Sequence, residues 1–212
     1  MIDEKRLSAF INSLDKGNPE YLNEIENKAL ADNVPIIRKE TQSLLRFFVK
    51  SKKPKKILEV GTAIGFSALL MREYGDGVLI DTIEKYEKRI PIALENFKKF
   101  DKDGQIVLHQ GDATEILSRL DDKYDLIFMD AAKAQYINFL PDVLRLLADG
   151  GILISDNILQ DKCILESKFA VERRDRTIHK RMREYLYALE TEGSLTTIIL
   201  PVGDGVSVSV KE

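Results

Sequence analysis

The sequence predicts an α/β protein built on a mostly parallel, doubly wound sheet. Three observations predict it. From residue 55 onward, short apolar or branched runs alternate with amphipathic stretches, the βαβ pattern. The first run, Lys55-Lys-Ile-Leu-Glu-Val, meets a glycine turn, Gly61-Thr-Ala-Ile-Gly65, that opens straight into the apolar run 66–71. Five successive runs end in an acid, at Glu59, Glu84, Asp112, Asp130 and Asp156, and the carboxyl ends of the strands are the ligand edge of such a sheet.

Taken in order, residues 1 to about 50 read as helices. Leu7, Phe10, Ile11 and Leu14 fall at helical spacing, as do Tyr21, Leu22, Ile25 and Leu30. Asn18-Pro19-Glu20 reads as a cap with proline at the first helical position. Val34-Pro35-Ile36-Ile37 is an extended link, and the helix holding Leu44, Leu45, Phe47, Phe48 and Val49 stops at Lys52-Lys53-Pro54. These helices either pack on the core or cover a ligand site. Strands are expected over 55–60, 77–84, 105–111, 124–129 and 150–155, with helices between them and a long charged helix over 167–191. Strands 195–200 and 205–210, joined by Pro201-Val-Gly-Asp-Gly205, read as a closing antiparallel hairpin. The chain of 212 residues reads as a single domain, a helical cap over 1–52 before an α/β core over 53–212.

Composition excludes several classes. The net charge of -3 gives no global pull toward nucleic acid or anionic membrane. The lone cysteine, Cys163, rules out an internal disulfide and a cysteine metal cluster. No stretch approaches 18 apolar residues and the first residues lack a signal-peptide core, so a cytoplasmic protein is expected.

The glycine turn lets backbone approach a ligand, although an ordinary strand-to-helix turn would read the same way. Its spacing is not that of a pyrophosphate-binding dinucleotide loop. Glu59 just before it suits a ligand with positive charge, and S-adenosylmethionine carries a sulfonium and an ammonium. Glu84, 23 residues after Gly61, stands where a carboxylate takes ribose hydroxyls; capping ahead of Tyr86 is its alternative. Asp112 suits an adenine amino group, or the N-cap of the next helix, or both. Asp130, Asp156 and Asn157 come together if the fourth and fifth strands are neighbours. Two carboxylates and an amide oxygen suit a hard cation such as Mg²⁺. Lys133 would place an amine beside that cation as a base; a solvated loop lysine is the plainer alternative.

Leu58-Glu59-Val60-Gly61-Thr62-Ala63-Ile64-Gly65-Phe66-Ser67, Thr82-Ile83-Glu84, Phe128-Met129-Asp130-Ala131-Ala132-Lys133, Ser155-Asp156-Asn157 and Gly203-Asp204-Gly205-Val206 together resemble the cation-dependent, catechol-type O-methyltransferases, from about Val34 to the C-terminus. The resemblance implies a Rossmann-like, seven-stranded sheet of order 3-2-1-4-5-7-6 with its last strand antiparallel, and a homodimer. It implies S-adenosylmethionine on Glu59, Gly61, Ser67, Glu84, Asp112-Ala113 and Asp130, with a backbone contact near Ile37. It implies Mg²⁺, or Mn²⁺ in its place, on Asp130, Asp156 and Asn157, with Lys133 as the base. Ala131 and Ala132 stand where animal catechol enzymes carry bulky aromatic walls, which implies a roomier mouth.

Within that family, Ser155-Asp-Asn-Ile-Leu-Gln160 and the stretch 166–185 most resemble the bacterial branch that methylates 5-hydroxyuridine at the tRNA wobble position to 5-methoxyuridine. From Lys162 to Arg183 there are eight Lys or Arg against three Asp or Glu. Lys162, Lys168, Arg173, Arg174, Arg176, Lys180, Arg181 and Arg183 could track the phosphates of an anticodon loop. A 5-hydroxyuridine sets its hydroxyl beside the 4-carbonyl, a pair of oxygens that resembles a catechol. The alternative is an O-methyltransferase for small catechols or phenols, the basic stretch then being a solvated face or a dimer surface.

Overall fold

The computed structural model describes residues 4–159, 164–167 and 169–212. Three helices, α1 (Glu4–Ser13), α2 (Glu20–Ala31) and α3 (Lys39–Lys52), precede the alternating core. The core runs β1 (Lys56–Val60), α4 (Phe66–Tyr74), β2 (Leu79–Glu84), α5 (Ile90–Phe100), β3 (Ile106–Gln110), α6 (Ala113–Arg119), β4 (Tyr124–Met129), α7 (Tyr136–Leu146), β5 (Leu147–Ser155), α8 (Arg176–Thr191), β6 (Leu195–Leu200) and β7 (Val206–Lys211). A single 3-10 turn, Lys133–Gln135, leads into α7. The strands form one seven-stranded sheet of order β3-β2-β1-β4-β5-β7-β6. Pairing is parallel from β3 to β5, and β7 is antiparallel to both β5 and β6.

The central strands β1 and β4 are buried on both faces and read as nearly continuous apolar runs, whereas the outer strands β3 and β6 are partly exposed. Alternate residues divide between two cores. Ile57, Ile80, Phe128 and Ile154 pack under α2 to α5, while Leu58, Val60, Ile127 and Leu153 pack under α6 to α8. The α3 break falls where the sequence marks it. Lys53 takes a left-handed φ of 51° and Pro54 follows.

Some details differ from the sequence expectation. Pro19 is itself the N-cap of α2, and Asn18 turns its amide to Gln42 Oε1 (2.7 Å) instead of capping. Leu7, Phe10 and Ile11 of α1, and Leu14 just past its end, are exposed. The final long helix begins at Arg176, not near 167. Ahead of it, turn bonds from Ala170 N–H to Ser167 O and from Asp175 N–H to Glu172 O replace helical ones. The run Glu172-Arg173-Arg174-Asp175 offers no apolar stripe to hold a helix on the core. Lys162 and Lys168 of the basic stretch, with Gln160 and Cys163, lie outside the described residues. Among the described residues, no helix is long and apolar enough to cross a membrane.

Away from the carboxyl edge, four strands are tied by one polar cluster. Asp81 on β2 accepts from the Tyr124 hydroxyl (3.0 Å), pairs with Lys56 Nζ (3.2 Å), and lies 2.7 Å from His109 Nε2. Burial pushes the Asp81 carboxyl up, but the bonds from His109, Lys56 and Tyr124 outweigh it and hold the pKa below 3.8. Because the folded pKa is depressed, the stability Asp81 supplies is present above its unfolded pKa and is lost as pH falls through the folded one. Asp81→Asn is expected to cost about 1–3 kcal/mol at pH 7 by chemical denaturation, with a smaller difference from the parent in strong acid.

Candidate active site

The carboxyl ends of β1 to β5 open onto one cavity of about 530 Å³. Its lining comes from the link Pro35–Arg38, the glycine turn, the ends of β2, β3, β4 and β5, and Asp204 of the β6–β7 loop. Backbone bonds that continue the parallel ladder past the strand ends position the acids. Asp130 N–H donates to Val60 O (3.0 Å), Asp156 N–H to Met129 O (2.9 Å), and Gly111 N–H to Glu84 O (2.9 Å). The N–H groups of Gly61 and Thr62 both reach Ile83 O (3.1 Å). Gly61 has φ +112°, and a Cβ there would lie 2.1 Å from the Asp130 carbonyl oxygen, so only glycine lets β1 and β4 close at this edge.

Glu59 is fully buried in β1. Its Oε2 accepts from the Thr82 hydroxyl (2.5 Å), whose oxygen also meets Thr62 Oγ1 (2.6 Å). Its Oε1 has no hydrogen-bond partner. Burial drives the Glu59 pKa up to about 7; the Ser67 and Thr82 hydroxyls pull it down, and the charges of Asp130 and Glu84 push it up again. Glu59 itself is not among the lining residues of the cavity; its Oε1, which no hydrogen bond satisfies, is an acceptor that a cationic group such as an ammonium would pair with.

Glu84 closes β2 and takes three backbone donors: Ala63 N–H on Oε2 (2.8 Å), and the N–H groups of Lys85 (2.9 Å) and Tyr86 (2.8 Å) on Oε1. These are the bonds of the capping alternative. The carboxylate caps the segment at Tyr86, and Glu84 is also one of the residues that line the cavity. Asp112 is the N-cap of α6. It accepts from Thr114 N–H (2.9 Å) and pairs with Lys85 Nζ (3.2 Å), and these bonds, the Thr114 one first, hold its carboxyl below 3.8. Ala113 and Ile37 also line the cavity. Ile37 is held by its carbonyl, which accepts from Gln42 Nε2 (3.1 Å), itself bonded to Glu26 (3.0 Å). Ser67, second residue of α4, is buried behind the wall, not in it.

Asp130, Asp156 and Asn157 do come together. Asn157 Nδ2 lies 3.2 Å from Asp130 Oδ1, and Asn157 N–H donates to Asp156 Oδ1 (2.8 Å). Thr41 Oγ1 approaches the same Asp156 oxygen (3.4 Å). Burial raises the Asp156 pKa to about 7, with the charges of Asp130 and Asp204 adding to it against the Asn157 and Thr41 hydrogen bonds. Burial likewise raises Asp130, against the pull of Lys133, Asn157 and Arg89. Two facing carboxylates, each made more basic by its surroundings, with an amide alongside, fit a hard divalent cation. Asn157 would turn its amide oxygen inward to complete the set. Among the described residues, no group of three or more His, Cys, Asp or Glu side chains is gathered as a metal site.

Lys133 opens the 3-10 turn; its charge acts on Asp130, but it is not among the lining residues. Arg173, Arg174, Arg176, Lys180, Arg181 and Arg183 lie outside the cavity wall. Arg181 bonds the Ala134 carbonyl (3.1 Å), so α8 sits against the turn that carries Lys133. The sequence reading missed Arg38, Lys85, Arg89, Gln135, Phe139 and Asp204 as lining residues. Asp204 sits in the quoted Gly-Asp-Gly motif and pairs with Arg38 (2.6 Å), 166 positions earlier in the chain.

An open sheet of this order, with a glycine turn and an acid at the end of each parallel strand, defines a nucleoside-binding methyltransferase fold. The O-methyltransferase family profile matches residues 12–212, and the chain belongs to that family of S-adenosylmethionine-dependent enzymes. It is 30% identical over 128 residues to a catechol O-methyltransferase from Niastella koreensis, 58% of each chain. It superposes on a candidate caffeoyl-CoA O-methyltransferase from Staphylococcus aureus with TM-score 0.89, 29% identity, and 99% and 100% of the two chains covered. The methyltransferase PaMTH1 of Podospora anserina, with S-adenosylhomocysteine bound, gives TM-score 0.89, 27% identity, and 99% and 95% coverage.

Two outcomes are expected here. Gly61→Ala should lose more than about 2 kcal/mol of stability, through the backbone clash and the positive φ, and should lose cofactor binding with it. In the ligand-free protein, folded Glu59 holds its proton between pH 4.5 and about 7 while the unfolded chain releases it. That contribution to stability is therefore present at low pH and is lost as pH rises through this window. Glu59→Gln should flatten that part of the stability–pH profile in chemical denaturation.

Proposed function

We propose that this O-methyltransferase moves the methyl group of S-adenosylmethionine to the 5-hydroxyl of 5-hydroxyuridine at the tRNA wobble position, with a divalent cation, Mg²⁺ or Mn²⁺, in the site. Glu59 holds the cofactor's ammonium group, Glu84 a ribose hydroxyl, and Asp112 with Ala113 the adenine edge. Asp130, Asp156 and Asn157 hold the cation. The cation, when bound, lowers the pKa of the acceptor hydroxyl and offsets the charge of its oxyanion. Lys133, on the 3-10 turn that follows Asp130, takes the proton. The remaining gain comes from holding acceptor oxygen and methyl group in line.

The observation that carries the choice of acceptor is the contact of Arg181 with Ala134. It supports a basic segment, Arg173 to Arg183, whose helix α8 lies beside the same turn as Lys133, next to a cavity that Ala131 and Ala132 line. Phosphates flanking an everted base would meet that segment.

A second reading, methylation of small catechols or phenols, draws on the names of the relatives and on the local pairing of the basic side chains. Arg174 pairs with Glu172 (3.0 Å), Lys180 with Glu184 (3.6 Å), and Arg183 with the Ile164 carbonyl (3.0 Å), as on a solvated face.

Label transfer from S-adenosylmethionine, with Mg²⁺ and with chelator, to 5-hydroxyuridine tRNA and to a catechol panel separates the two. The tRNA reading expects metal-dependent label on the wobble base and an activity that falls steeply with salt. Good turnover on catechols and none on tRNA would overturn it. Lys133→Ala is expected to lower kcat on the better acceptor about 10²- to 10⁴-fold while leaving binding of S-adenosylhomocysteine intact in calorimetry.

A further inference from the structure

The two acid-bearing strand ends share a contact that no motif announces. Tyr136, the first residue of α7, is fully buried. Its hydroxyl lies 3.0 Å from the Met129 carbonyl oxygen and 3.2 Å from that of Asp156, and it accepts from Ala131 N–H at 3.3 Å. One phenol thus meets the peptide N–H that follows Asp130 and the peptide carbonyl of Asp156 itself. A single O–H has one proton to share between the two carbonyls, and it can reach both only while β4 and β5 end side by side.

The Asp156–Asn157 peptide is the critical one. Asn157 has a left-handed φ of 59°, the step by which the chain leaves the sheet. The carbonyl of this peptide is held by Tyr136, and its N–H is held by Asp156 Oδ1 (2.8 Å). The plane that aims Asp156 and Asn157 into the cavity is therefore fixed from both sides. Tyr136 is held in turn: its ring packs edge-on against Tyr185 (5.4 Å between centroids, 77°), whose hydroxyl meets Ser155 Oγ at 2.6 Å.

We propose that Tyr136 is a positioning residue: its hydroxyl sets the spacing of the Asp130 and Asp156 backbones and thereby the affinity of Asp130, Asp156 and Asn157 for a divalent cation. The inference rests on the metal reading given under Proposed function. Groups that orient metal ligands typically cost about 10- to 100-fold in affinity when removed.

The test compares the full chain with Tyr136→Phe, which keeps the ring and loses the hydroxyl. Mn²⁺ binding is followed by electron paramagnetic resonance, S-adenosylhomocysteine binding by calorimetry, and backbone amides by hydrogen exchange. The expected result is Mn²⁺ binding weakened about 10-fold or more, S-adenosylhomocysteine binding within about threefold, and faster exchange at residues 129–132 and 156–158 alone. A folded Tyr136→Phe that binds Mn²⁺ as tightly as the parent would overturn the proposal. If the variant does not fold, the parent still decides it: an Ala131 amide that exchanges as fast as an exposed loop amide rules the contact out, and strong protection there upholds it. A parent that binds no Mn²⁺ removes the metal reading, and the positioning role then stands or falls on the exchange of those same amides in parent and variant.

Discussion

The continuation of the parallel ladder one residue past the strand ends is the constraint on which the rest depends. Asp130 and Asp156 are side chains of loop residues, yet their backbone N–H groups are bonded to Val60 and Met129 as though still in the sheet. Their placement at one edge is therefore inherited from the register of β1, β4 and β5, and the Tyr136 hydroxyl bridges the two strand ends from outside the sheet. Because side chains alternate along a strand, a slip of one residue would move every acid to the other face and exchange the two cores. The Asp81 cluster with Lys56, His109 and Tyr124 resists such a slip where it joins four strands.

Holding acids this close works against the fold. Burial lifts Glu59, Asp130 and Asp156 above their ordinary pKa values, and mutual repulsion adds to it at Glu59 and Asp156. The ligand-free protein bears this as unpaired buried charge or retained protons. A cationic ligand group at Glu59, and a divalent cation between Asp130 and Asp156, would relieve it. Such relief would tie the cost of burying these acids to a preference for positively charged groups. Contacts from outside the sheet offset part of the cost. Gln42 and Glu26 fix the link that carries Ile37, and Arg38 joins that link to Asp204 across the mouth.

Much of this was legible in the sequence, for a local reason. Strand runs, glycine turns and strand-end acids are encoded within a few residues of one another, so Glu59, Glu84, Asp112, Asp130 and Asp156 could be placed at one edge from pattern alone. The strand order came from the family resemblance and not from periodicity, because nothing local says which strand lies beside which. What stayed hidden depends on distance in sequence or on context. The pairing of Arg38 with Asp204 joins the two ends of the chain. The Tyr136 contact needs the fold to bring its three partners to one hydroxyl. The start of α8 at Arg176 was missed because charged residues with good helix propensity fill the preceding stretch, while only tertiary packing decides where a helix holds.

On the proposed reading, cofactor, cation and acceptor meet at this one edge, aligned by the ladder. Anomalous diffraction from Mn²⁺, in crystals grown with S-adenosylhomocysteine, tests it most directly. A manganese peak is expected between Asp130, Asp156 and Asn157, with the ammonium group of the nucleoside at Glu59 and its sulfur turned toward the metal. A peak elsewhere, or a nucleoside whose sulfur faces away from Asp130, would contradict it.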